Sequence, residues 1–105
     1  MRQLRHLALL LLLLSSCALA DLQVLNGRFV DLQFGDYAHL QVRDERGEIH
    51  SFWLGNDRSL VKFVENPERY KGCPVKVHWH KVTRHIPEAG GDMELDEAVR
   101  IEVLE

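Results

Sequence analysis

The stretch Asp57-Arg58-Ser59-Leu60-Val61-Lys62-Phe63-Val64-Glu65-Asn66-Pro67-Glu68-Arg69-Tyr70-Lys71-Gly72-Cys73-Pro74-Val75-Lys76-Val77 holds a helical pattern followed at once by a strand pattern. Leu60, Phe63 and Val64 recur at i, i+3 and i+4, so they share one side of a short helix that Asn56 or Asp57 can cap. Pro67 ends it. Glu68 to Gly72 then makes a turn, and Val75, Val77 and Trp79 alternate with Lys76, His78 and His80 as a strand buried on one face. The position of this helix among the strands is what separates the possible small β folds.

Upstream, Leu22 and Val24 and then Val30, Leu32 and Phe34 alternate with polar neighbours. This predicts one long first strand with a bulge or bend at Asn26-Gly27. After Gly35-Asp36, the residues Ala38, Leu40 and Val42 alternate with His39, Gln41 and Arg43, and Asp44-Glu45-Arg46-Gly47 turns the chain into Ile49 to Trp53. A four-residue loop places Arg43 opposite Glu48, Gln41 opposite His50 and His39 opposite Phe52. One face, Ala38, Leu40, Val42, Ile49, Ser51 and Trp53, is then core. The other carries His39, Gln41, Arg43, Glu48, His50 and Phe52. Downstream, the segment Arg84 to Asp96 reads as a connection, and Val99, Ile101 and Val103 alternate as a fifth strand.

The predicted fold class is therefore all-β with one short helix, in the order strand, strand, strand, helix, strand, strand. That is the order of the five-stranded Greek-key barrel known as the OB-fold. An SH3-like barrel also has five strands, but its helical turn lies between the last two. The segment Asn66 to Val77 resembles the helix exit and fourth strand of many small OB domains. Over residues 22–104 the chain resembles the small exported bacterial OB-fold proteins, a resemblance that implies a fold and transfers no catalytic residue.

Export is read from the leader. Arg2 and Arg5 precede an apolar run from Leu7 to Leu14, and Ala18-Leu19-Ala20 supplies an A-x-A cleavage site before Asp21. This predicts a signal peptide over residues 1–20 and a single periplasmic or secreted domain over 21–105, with no transmembrane helix. Leu14-Ser15-Ser16-Cys17 also resembles a bacterial lipobox, whose use would anchor the chain in the envelope through an acylated Cys17.

The leader holds Arg2 and Arg5 and no carboxylate. Of the chain's 13 Lys and Arg and 16 Asp and Glu, 11 and 16 remain, a net charge of −5 with histidine neutral. An acidic exported domain is a poor partner for nucleic acid, whose phosphates select basic surfaces. Cys73 is the one cysteine left after cleavage at Ala20, so it has no internal disulfide partner; it reads as a small apolar residue at the start of a strand.

Five histidines follow the leader. His78 and His80 share a strand face, with Cα atoms roughly 7 Å apart, and could chelate Cu²⁺ or Zn²⁺ with help from Asp31 or His85. The acidic run from Glu88 to Glu97 lacks the Asp-x-Asp-x-Asp-Gly spacing of a calcium loop. No nucleophile elbow, phosphate loop or H-E-x-x-H motif is present, and no enzyme is read here. The customary ligand platform of an OB domain is the outer face of strands two and three with the loops at one barrel end. The expected ligand-binding residues are accordingly His39, Gln41, His50 and Phe52, with Arg84 and His85 from the connection. The compartment makes a cell-envelope protein, peptide or glycan the expected partner.

Overall fold

The computed structural model describes residues 22–35 and 37–104. The segment expected to be a signal peptide, with Cys17 in it, lies outside the described residues. Five strands, β1 (Gln23–Gln33), β2 (His39–Asp44), β3 (Ile49–Leu54), β4 (Pro74–Ile86) and β5 (Gly91–Val103), close into a barrel in the order β1-β2-β3-β5-β4. All ladders are antiparallel except β3–β5. This is an OB-fold-like barrel, and the helical segment stands between β3 and β4 as the sequence order requires. No helix among the described residues is long and apolar enough to cross a membrane.

Asp57 opens the helical segment: its carboxylate accepts a hydrogen bond from the Ser59 N–H at 3.0 Å, satisfying a donor that has no intrahelical partner. A 3₁₀ turn (Arg58–Leu60) leads into α1 (Val61–Glu65), and Pro67 starts a separate turn, α2 (Pro67–Tyr70), rather than a loop. Leu60 and Phe63 plug the barrel, and Val64 points away, 40% exposed. The Phe63 ring meets Phe29 edge-on at 5.1 Å and Tyr70 at 4.6 Å. Leu40, Val42, Phe52, Val75, Val77 and Ile101 complete the core, each at most 1% exposed.

β1 serves both sides of the barrel because its first half pairs with β4 and its second with β2. Its bulge falls at Val30, the residue skipped between Phe29↔Val42 and Asp31↔Gln41. Gly27 instead marks a close approach: a Cβ there would press on the Arg43 carbonyl oxygen and lie 2.8 Å from Val42 Cγ1.

The β2–β3 register corrects the expected hairpin. Observed partners are Arg43↔Ile49, Gln41↔Ser51, Leu40↔Phe52 and His39↔Trp53. Gly47 adopts φ +89°, Gly47 N–H donates to the Asp44 carbonyl at 3.1 Å, and Asp44 N–H donates to the Glu48 carbonyl at 2.8 Å. This is a three-residue loop with a left-handed glycine, one residue shorter than expected. A slip of one residue exchanges the faces of a strand. Phe52 is therefore core, 1% exposed, while Ile49 is 49% exposed and Trp53 stands on the outer wall.

A second correction concerns Arg84 to Asp96, which is a ladder and not a loop. β4 and β5 remain paired from Trp79↔Ala98 to Ile86↔Gly91, leaving Pro87–Gly90 as the turn. Beyond the β3–β5 contact at Trp53 and Leu54 this ribbon continues as a two-stranded arm.

Candidate functional site

Pairing carries the outward face across four strands. Cross-strand partners share a face, so His39 of β2, Trp53 of β3, Glu97 of β5 and His80 of β4 stand in one row on the outer wall. Glu97 is spaced about 4.8 Å from Trp53 by the ladder. Its two oxygens are divided: Oε1 accepts from His80 Nε2 at 3.1 Å and Oε2 from Arg84 Nη2 at 3.1 Å. The carboxylate is only 17% exposed, and the imidazole and guanidinium replace the water it has lost.

The other half of the row is aromatic. Trp53 lies 4.5 Å from the Tyr37 ring at an interplanar angle of 32°, and His39 meets it edge-on at 5.1 Å. Such ring pairs contribute roughly 0.5–1.5 kcal/mol each beyond simple burial. Tyr37 reaches further, its hydroxyl donating to Glu88 Oε2 at 3.1 Å across 51 residues of sequence. The β1–β2 loop and the tip of the arm are thus joined over Trp53. Beside this bridge Gln33, Phe34, Gly35, Tyr37 and His39 line a recess of about 320 Å³, and Phe34 is 64% exposed.

This surface gathers some of the residues expected from the sequence and rejects others. His39 and Gln41 are on it, half-buried, and neither side chain forms a hydrogen bond among the described residues. Arg84 joins through Glu97. Phe52 is in the core, facing Trp79 at 5.6 Å, and offers nothing to a ligand. His50 follows it to the inward face, at the hairpin end of the barrel, where Nε2 donates to Asp44 Oδ2 at 2.8 Å. His85 is on the other face of the arm, paired with Asp92 at 3.1 Å.

The expected metal pair is also dispersed in its partners. His78 Nε2 lies 2.9 Å from Glu102 Oε2 and 3.1 Å from Arg100 Nη2, while His80 belongs to Glu97. Asp31 is no neighbour, since His78 faces Val24 across the β1–β4 ladder; Asp31 instead approaches Lys71 at 3.6 Å. Asp44, Glu48 and His50 do bring donor atoms within 4.8 Å of one another. Asp44, however, is fully engaged: Oδ1 accepts from the Arg46 and Glu48 N–H groups at 2.9 and 3.0 Å, and Oδ2 holds His50. The cluster braces the hairpin turn. Its electrostatics agree, since the His50 hydrogen bond, aided by the two backbone N–H groups, holds the Asp44 carboxyl below its ordinary range. The hydrogen bond from His78, with the Arg100 charge beside it, does the same for Glu102.

Tyr37, Trp53 and Glu97 were missed in the sequence. The missing signal was the Asp-x-x-Gly turn, whose glycine at the fourth position marks the shorter loop that turns Trp53 outward. Glu97 was hidden because the arm was read as a connection.

Comparison with protein-family models and with curated proteins returned no match.

Proposed function

We propose that this chain is a non-enzymatic binding module of the cell envelope, recognising a protein, peptide or glycan through the outer face of β2 and β3. The contact residues are Tyr37, His39, Gln41 and Trp53, with Arg84 at the margin. The observation that carries the reading is the Tyr37 bridge, which packs on Trp53 at 4.5 Å and bonds to Glu88 at 3.1 Å. It puts both barrel-end loops beside an aromatic wall, the arrangement through which OB domains hold their ligands. Half-buried rings in contact are already ordered, so a ligand laid on them costs little further side-chain entropy.

The test is a ¹⁵N-amide titration with a panel of peptides, neutral and charged oligosaccharides. A ligand of this site shifts Tyr37, His39, Gln41 and the Trp53 indole together, and Trp53→Ala abolishes the response. Saturable binding that maps elsewhere and is indifferent to Trp53→Ala would refute the assignment.

A further inference from the structure

We propose that the recess formed by the end of β1, the β1–β2 loop and the start of β2, beside the Tyr37–Glu88 bridge, takes a methylated ammonium group; this rests on the reading of the aromatic face as the binding site. The recess has three ring walls, Phe34, Tyr37 and His39, with Gln33 completing the rim and a volume of about 320 Å³. That lies at the small end of ligand sites, roughly 300–1,000 Å³, and suits a head group better than a whole oligomer.

Ring faces are the negative pole of an aromatic quadrupole, so a recess walled by rings attracts a cation. A carboxylate stands beside the recess: Glu88 is exposed and accepts from the hydroxyl of the lining residue Tyr37 through Oε2, and among the described residues Oε1 has no hydrogen-bond donor. Arg84, the cation at the margin of the proposed face, is paired with Glu97 at 3.1 Å. The chain as a whole carries a net charge of −3, which steers cations toward it.

The walls choose among cations. A primary ammonium such as that of lysine is compact and strongly hydrated, and rings cannot replace the hydrogen bonds it would leave behind in water. A trimethylammonium group has no N–H to satisfy, is weakly hydrated, and presents methyl groups to the rings while keeping its charge. Phe34 fits this use. A phenyl ring 64% exposed at a loop end gives nothing to the core, and closing on a cationic head group would bury it.

The experiment uses choline, its uncharged isostere 3,3-dimethylbutan-1-ol, and N-acetyl-lysine methylamide, each titrated into the ¹⁵N-labelled protein. The expected result is saturable shifts at Phe34, Tyr37 and His39 with choline, and binding about tenfold weaker for the isostere and for the lysine derivative. Phe34→Ala and Glu88→Gln should each weaken choline severalfold, and both are surface changes that leave the core intact. Equal binding of choline and its isostere would overturn the cation assignment while leaving the aromatic face as a binding site. Tighter binding of the lysine derivative would overturn the methylated head group in the same way. Absence of choline shifts in a protein whose Trp53-dependent response to another ligand is intact would overturn the inference alone. If Trp53→Ala leaves every response unchanged, the reading beneath it falls as well.

Discussion

The exchange of faces on β3 makes a quantitative prediction about two adjacent aromatic residues. Phe52 is 1% exposed, stands among Leu40, Val42 and Val77 in the core, and touches Trp79 at 5.6 Å. Truncating such a residue loses its transfer free energy and leaves a cavity, about 3–5 kcal/mol for Phe→Ala. A domain of this size has about 4–12 kcal/mol of total stability at ~0.05–0.15 kcal/mol per residue, so Phe52→Ala should be barely folded. Phe52→Leu retains most of the volume and should cost about 1–1.5 kcal/mol. Trp53 is half-buried outside the barrel, and Trp53→Ala removes two ring contacts worth roughly 0.5–1.5 kcal/mol each. Urea unfolding followed by far-ultraviolet circular dichroism measures all three. With a slope of about 1 kcal/mol/M for a small domain, the midpoint falls by ~1–1.5 M for Phe52→Leu and ~1–3 M for Trp53→Ala, and Phe52→Ala loses its folded baseline. A Trp53→Ala variant less stable than Phe52→Ala would mean that Trp53 is the buried residue and that the longer loop is correct.

Other consequences are open to simpler measurements. Gly27→Ala sets a methyl group against the Arg43 carbonyl and the Val42 side chain and should cost about 1–3 kcal/mol, as overpacking does, read as a lower melting temperature. Asp44 and Glu102 have folded-state pKa values below their ordinary 3.8 and 4.5, each chiefly through a histidine hydrogen bond. Their stabilisation is thus complete above those values and is lost as the pH falls below them. Asp44→Asn should therefore flatten the decline in melting temperature below about pH 4, and an unchanged acid limb would contradict the pairing. Amide exchange should find the N–H groups that cross the Val82↔Leu95 and Arg84↔Met93 pairs protected; free exchange throughout 84–96 would restore the loop reading. Arg84→Gln should cost under about 1 kcal/mol, because the pair with Glu97 is half-exposed on the arginine side.

The strand order was legible because it depends on type and sequence position, and the period-two pattern around Leu40, Val42, Val75 and Val77 is strong. The helix before β4 was legible for the same reason. What failed was parity. Ile49, Ser51 and Trp53 alternate with His50, Phe52 and Leu54, and both sets contain apolar residues, so hydropathy does not choose between them. One residue in the loop chooses, through the left-handed conformation of Gly47. The arm failed differently. Along Lys81, Thr83 and His85 opposite Asp96, Glu94 and Asp92, one face of the ribbon is wholly polar, and its only apolar face is interrupted by His80, Arg84 and Glu97. An apolar face so interrupted gives only a weak period-two signal. As for the site, His39 was found because β2 has unambiguous parity, while Phe52 was chosen in place of Trp53 because β3 does not.

That polar ribbon explains why the site and the arm belong together. A two-stranded ribbon is marginal by itself in water, and the exposed pairs along this one, Lys81–Asp96 at 3.0 Å and His85–Asp92 at 3.1 Å, contribute little each. Ile86 and Leu95 are nonetheless 5% and 8% exposed, buried apart from the main core cluster. The arm is therefore held at its ends: by Glu97 beside Trp53 at its base and by the Tyr37–Glu88 hydrogen bond at its tip. Both braces end on the same aromatic pair, Tyr37 and Trp53, which are 4.5 Å apart. A ligand that orders Tyr37 must stabilise the arm, and a change that frees the arm must loosen Tyr37, because binding and local order are thermodynamically linked. Tyr37→Phe removes only the hydroxyl. It should raise amide exchange at the arm tip, around Gly90 and Gly91, while leaving β2 and β3 protected. An arm tip indifferent to that substitution would mean that Ile86 and Leu95 hold it unaided.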